Sequence, residues 1–224
     1  MISCTTPTTH TLPALLAIPS VTVMVVNLFY RSPFLLPEAG FGYLIPRSIS
    51  FSQNPECALG VVYDSYSSVG QDAAPGTKVT VMLGGHWWDA FDHYPSEEEG
   101  VEMAIAVLRR HLNITDVPDK MMVGLQEDCI PQYTVGHEMR LKSAHSQLMG
   151  AFKGKLSVAG NWVEGVGLND CVRGARDLVL KLKGTAGAVD DATGLEDFQA
   201  SRRWVQTKIL RGVANANVQG RDVD

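Results

Sequence analysis

The chain has 224 residues, with 19 Lys plus Arg against 24 Asp plus Glu, for a formal net charge of -5. Apolar residues make up 45% and mean hydropathy is +0.01, which excludes a disordered or fibrous chain. The mild acidity excludes a whole-protein nucleic-acid face, and the length suits one domain or one and a half.

The four cysteines, Cys4, Cys57, Cys129 and Cys171, form no C-x-x-C pair and have no nearby His–Cys knot. That excludes a disulfide scaffold and offers no structural zinc site. Buried reduced thiols in a reducing compartment are the expectation.

No charge appears before Arg31, yet Pro7, Pro13 and Pro19 interrupt the run. It fits neither a signal peptide nor a span of about 20 apolar residues. Val21–Tyr30 is β-branched and aromatic and reads as a buried strand. A buried strand this early needs neighbours, so the chain reads as starting inside a larger fold.

Short strands follow at Gly40–Pro46, Ala58–Tyr63 and Thr77–Leu83, and their hairpin-like spacing argues for antiparallel pairing. Ser96 with Glu99 is a capping box, so Glu97, Glu98 and Glu99 read as a solvated helix start. Met103, Val107 and Leu108 supply that helix's apolar stripe. Met121–Leu125 reads as a strand, His137–Phe152 as a helix and Lys155–Gly160 as a strand. Leu168–Lys183 reads as a helix with Leu168, Val172, Ala175, Leu178, Val179 and Leu182 on its apolar side. A linker over 184–194, a last helix over 195–210 and a disordered tail complete the chain.

Chemistry concentrates after Gly160, where Gly165 and Gly167 lead into the last long helix. A helix start offers unpaired N–H groups and partial positive charge, and glycines let another molecule approach closely. The segment is a seat for an electron-rich cofactor edge or a packed strand-to-helix turn. Its spacing is not G-x-G-x-x-G, and no other stretch carries that fingerprint. Gly84-Gly-His-Trp-Trp88 either flanks a planar ligand or packs its tryptophans at a strand end. His86, His93, His111, His137 and His145 lack metal spacing, so no metal is expected. Ser65 and Ser67 lack a glycine elbow, and no catalytic side chain stands out. Cys129-Ile-Pro-Gln-Tyr133 alone reads as a strand-to-loop junction.

Five segments occur in the order found in the protoporphyrinogen oxidases. They are Gly40-Phe-Gly-Tyr-Leu-Ile-Pro46, Leu59-Gly-Val-Val-Tyr-Asp-Ser65 and Thr80-Val-Met-Leu-Gly-Gly85, then Cys129-Ile-Pro-Gln-Tyr-Thr-Val-Gly-His137 and Ala159-Gly160 through Gly165-Val-Gly-Leu-Asn-Asp-Cys171. Residues 1 to 183 thus resemble the C-terminal part of that family, of the eukaryotic mitochondrial kind, within the flavin amine oxidase superfamily. The Ile-Pro-Gln-Tyr-x-Val-Gly-His string is the specific one.

The resemblance implies an α/β (α+β) architecture from a two-domain FAD enzyme. Residues 1–118 would belong to its substrate domain, 119–183 to its FAD-binding domain, and 184–224 to an extension. It implies stepwise oxidation of protoporphyrinogen IX to protoporphyrin IX, with FAD as cofactor and oxygen as acceptor. It also implies the mitochondrial inner membrane, peripheral membrane association and often a homodimer. Val166, Gly167 and Leu168 match the flavin-contacting turn, with Gly160 ending the strand before it and Leu125 near the flavin. Gly42, Leu44, Val62 and Met82 match positions lining the tetrapyrrole pocket. The family's glycine-rich flavin loop and its carboxylate-binding arginine have no counterpart in these residues. Two readings follow: a flavin-dependent oxidase, or a non-catalytic fragment holding part of each site.

Overall fold

A computed structural model describes residues 12–67, 70, 74–89, 91–184 and 193–199. In chain order the elements are α1 (Pro13–Leu16), β1 (Ser20–Tyr30), β2 (Gly42–Leu44), β3 (Ala58–Val62), α2 (Asp64–Ser67), β4 (Thr77–Gly84), α3 (Glu97–Leu112), β5 (Lys120–Pro131), α4 (His137–Phe152) and α5 (Leu168–Gly184). Short 3-10 turns lie at Phe51–Gln53, Gly85–Trp88 and Glu196–Gln199.

The chain divides into two compact units. Ser20–Pro131 forms one, and Met1–Pro19 with Gln132–Asp224 forms the other. The sheet unit thus runs to Pro131. Residues 120–131 pair along β1, from Phe29↔Lys120 to Ser20↔Pro131, and that ladder keeps them in the sheet unit.

The sheet unit holds five antiparallel strands in the order β2-β3-β4-β1-β5. β1 lies between β4 and β5, and its even-numbered residues Met24, Val26, Leu28 and Tyr30 are buried. Because strand side chains alternate, the register carries Val61 and Val81 to the same face. There they form one core with Ala104, Val107 and Leu108 of α3. The β-branched run thus makes the strand, and the helix stripe covers one sheet face.

α3 begins as its sequence dictates. Ser96 Oγ accepts from the Glu99 amide at 3.2 Å, and Glu99 Oε2 accepts from the Ser96 amide at 2.7 Å. The cap satisfies donors the helix leaves unpaired. Ser96→Ala is expected to cost about 1 kcal/mol, read as a lower urea midpoint with an unchanged m-value. Of the described cysteines only Cys57 is fully buried; Cys129 and Cys171 are partly exposed, so burial of all the thiols is not observed. Cys4 lies outside the described residues.

In the second unit, Ala14, Leu141, Ala144, Leu148 and Leu195 form the core. Two expectations are corrected here. Lys155–Gly160 runs without strand structure: Val158 donates to the Thr193 carbonyl at 2.8 Å, but no described strand lies beside it to continue a ladder. α5 is helical as expected, but its stripe is not buried. Leu168 is 79% exposed and Val172 60%, because periodicity shows that a face is apolar and not what covers it. Only the start of the expected helix over 195–210 is described, as the 3-10 turn Glu196–Gln199; the rest, like the tail, lies outside the described residues.

Candidate functional site

Gly42, Leu44, Val62 and Met82 come from three different strands. Register brings them together: Gly42 pairs with Val62, Leu44 with Gly60, and Gly60 with Met82. Directly paired residues share a face, so all four project away from the core. Val25, Asn27, Thr80, Met122 and Gly124 extend the same face across β4, β1 and β5. α3 covers the opposite side. Leu44 is 74% exposed, and Val62 and Met82 are half-buried.

This face is apolar and flat in its middle. A Cβ at Gly60 would lie 2.6 Å from the Tyr43 carbonyl, and one at Gly42, where φ is +130°, would overlap the Val61 carbonyl. Both positions require glycine because the neighbouring strand fills the Cβ site, and Gly60 is itself buried with a Leu44 methyl 2.9 Å from that site. The face turns polar toward one end. Thr80 Oγ1 lies 2.8 Å from Asn27 Oδ1 and 2.6 Å from Asp64 Oδ2. A cavity of about 300 Å³ opens beside them, lined by Asn27, Phe29, Asp64, Lys78, Lys120 and Met122 among others. Sequence reading missed Asn27, Thr80 and Asp64; strand alternation counted from Met82 would have found Thr80.

The second candidate lies in the other unit. Gly167 precedes α5, and its carbonyl accepts from the Asp170 and Cys171 amides, each at 3.0 Å. Val166 is 51% exposed, so the turn presents side chain and backbone outward. Gly160 sits under the Trp162 indole, where a Cβ would fall 2.5 Å from Nε1. Leu125 lies in the sheet unit, partly buried against the α3 core.

The Tyr133–His137 part of the Ile-Pro-Gln-Tyr string reaches this turn. Tyr133 Oη donates to the Asn161 carbonyl at 2.6 Å, and His137 Nε2 donates to the Trp162 carbonyl at 2.9 Å. Their rings stack 4.3 Å apart at 11°. Burial raises the Tyr133 phenol's pKa, while the nearby Gly165 amide pulls it down. Burial lowers the His137 pKa, the bond to the Trp162 carbonyl opposes that, and Arg140 adds to the lowering. At neutral pH the ring is therefore neutral with its proton on Nε2.

Beneath the turn lies a cavity of about 380 Å³ lined by Gly160, Gly165 and α5 residues. Its charged lining is Glu164, Asp170, Asp177, Asp197 and Lys181. An acidic excess repels phosphate, so this cavity does not suit a pyrophosphate. The exposed rim at Val166–Leu168, with the amides of a helix start, suits the electron-rich edge of a flat ring.

No family model matches the chain. Protoporphyrinogen oxidase of Homo sapiens is 40% identical over 176 residues, covering 77% of this chain and 35% of that protein. The Schizosaccharomyces pombe protein of that name is 36% identical over 166 residues, covering 73% and 33%. Among solved structures, one from Exiguobacterium sp. 255-15, provisionally assigned as a protoporphyrinogen oxidase, superposes with a TM-score of 0.62 at 21% identity. It covers 78% of this chain and 37% of its own. Reduced UDP-galactopyranose mutase superposes at 0.55 and 12% identity, covering 86% and 40%, a likeness of fold alone. Over 77% of its length this chain is a homologue of the protoporphyrinogen oxidases, and it spans about a third (35%) of the length of those relatives.

Proposed function

We propose that the chain forms the substrate-facing sheet and the C-terminal flavin-contacting turn of an FAD-dependent oxidase. Its substrate is protoporphyrinogen IX, its acceptor oxygen, and its product protoporphyrin IX. The observation that carries this reading is the open sheet face. Four residues matched to the tetrapyrrole pocket, scattered from Gly42 to Met82 in sequence, share one apolar surface. Dispersion and desolvation against such a surface hold a flat macrocycle.

Val166, Gly167 and Leu168 would hold the flavin edge, with Gly160 behind them; Leu125 is matched to a flavin neighbour by the resemblance alone. When bound, FAD supplies the acceptor for hydride and passes the electrons to oxygen. The chain's own residues exclude water from the macrocycle's face and orient it through Leu44, Val62 and Met82. The helix start at Leu168 favours negative charge at whatever edge lies against it. In this reading the sheet unit belongs to the substrate domain and the other unit to the flavin-binding domain. The kinship with human and yeast relatives is the ground for placing the protein on the mitochondrial inner membrane, peripherally and as a homodimer. No described helix is long and apolar enough to cross a membrane.

The test is a titration of the chain with protoporphyrin IX, followed by its visible absorbance and by tryptophan quenching. Saturable binding that Leu44→Glu weakens tenfold or more is expected, and Glu at exposed Val117 is the control. Absence of saturable binding, or equal losses from both substitutions, overturns the sheet face as the substrate wall.

A further inference from the structure

We propose that Tyr133 and His137 are positioning residues that clamp the loop from Asn161 to Gly165, so that the Gly165–Leu168 turn is already formed before any ligand arrives. That the turn is a flavin wall rests on the function proposed above; the clamp itself rests on geometry within one unit.

Five observations converge. The Tyr133 hydroxyl donates to the Asn161 carbonyl at 2.6 Å and so holds the start of the five-residue loop. His137 Nε2 holds the middle of that loop through the Trp162 carbonyl at 2.9 Å. The two rings stack 4.3 Å apart, so neither can turn without disturbing the other. The chain is folded tightly to achieve this. The His137 amide donates to the Thr134 carbonyl at 3.0 Å, and Gly136 takes φ +86° just before α4. Arg140 braces the bend by donating to Thr134 Oγ1 at 2.9 Å.

The Gly167 and Leu168 amides have no acceptor among the described residues, and so remain for a ligand edge. A loop of this length without regular structure samples many conformations, and fixing each residue costs about 1–2 kcal/mol. A clamp that fixes it during folding removes that cost from binding. This also gives the Tyr-x-Val-Gly-His spacing a physical meaning: residues 133 and 137 stand at the two ends of one tight bend.

Hydrogen exchange followed by mass spectrometry on the full 224-residue chain tests the clamp. Tyr133→Phe keeps the stack and removes the hydroxyl; His137→Ala removes both stack and donor; His137→Gln keeps a donor. The expected result is tenfold or faster exchange in peptides covering 161–168 for Tyr133→Phe and His137→Ala, with partial rescue by His137→Gln. Protection of the central α4 segment, around Leu141–Leu148, stays unchanged. Unchanged exchange at 161–168, or loss spread equally over α4, overturns the clamp. A parallel FAD titration by flavin fluorescence separates the two ideas. Weaker flavin binding in Tyr133→Phe than in the parent supports clamp and wall together. No flavin binding in the parent removes the flavin wall, and the exchange data alone then decide the clamp.

Discussion

Val81→Glu is expected to unfold the sheet unit, whereas Met82→Glu, one residue on, is expected to leave it folded and to abolish tetrapyrrole binding. The two positions differ only in which way the strand points them. Val81 is fully buried on the sheet face that packs against α3. A carboxylate there has no partner in an apolar core, and the penalty is several kcal/mol, a large part of a typical domain's stability. Met82 faces the other way and is half-exposed, so a glutamate stem can lie along the face with its carboxylate in water. A macrocycle lying on that face would strip this water away. Each tenfold loss of affinity corresponds to about 1.4 kcal/mol, and desolvating a carboxylate costs more than that. Thermal unfolding by circular dichroism reads the first effect, and protoporphyrin IX titration the second. If Met82→Glu binds like the parent, the macrocycle does not lie on this face.

The same alternation explains what was legible in the sequence. Strand and helix positions follow from local signals: β-branched runs for β1 and β4, and the Ser96–Glu99 box for α3. Antiparallel pairing followed from short spacings. What local signals could not supply was the order of strands. β1 precedes β2 in the chain yet lies between β4 and β5, a placement set by burial of its even-numbered residues and not by any turn. Lys155–Gly160 failed as a strand for a related reason. Its composition permits extension, but a strand exists only where another offers a ladder.

The site shows a similar division. Resemblance picked out Gly42, Leu44, Val62 and Met82, and register then showed that they share a face, which spacing alone could not. The polar end at Asn27, Thr80 and Asp64 was invisible because its members lie 53 and 16 residues apart. Tyr133 ended the segment read as a strand-to-loop junction, and His137 opened the helix that follows. Their partners are backbone carbonyls at Asn161 and Trp162, and a carbonyl leaves no trace in residue identity.

Gly84→Ala is expected to cost about 2–6 kcal/mol and to lower the sheet unit's melting temperature by roughly 10 °C or more. Two costs add. Gly84 has φ +99° and ψ -117°, a conformation essentially closed to residues with a Cβ, worth about 1–3 kcal/mol. A Cβ there would also lie 2.6 and 2.7 Å from ring carbons of Trp88. That indole is only 3% exposed and sits in the core, so it cannot swing aside, and overpacking adds about 1–3 kcal/mol. Gly85→Ala is the internal control. Its φ of +58° is ordinary left-handed backbone, and its Cβ would meet only the Leu59 side chain at 3.1–3.2 Å. About 1–2 kcal/mol is expected from it. Tryptophan fluorescence during thermal unfolding compares the two. The outcome bears on the Gly84–Trp88 motif, which the sequence left open between ligand flank and packed turn. A much larger loss for Gly84→Ala assigns Trp88 to packing. Similar losses would mean that the indole yields, and that Trp88 is available to a ligand after all.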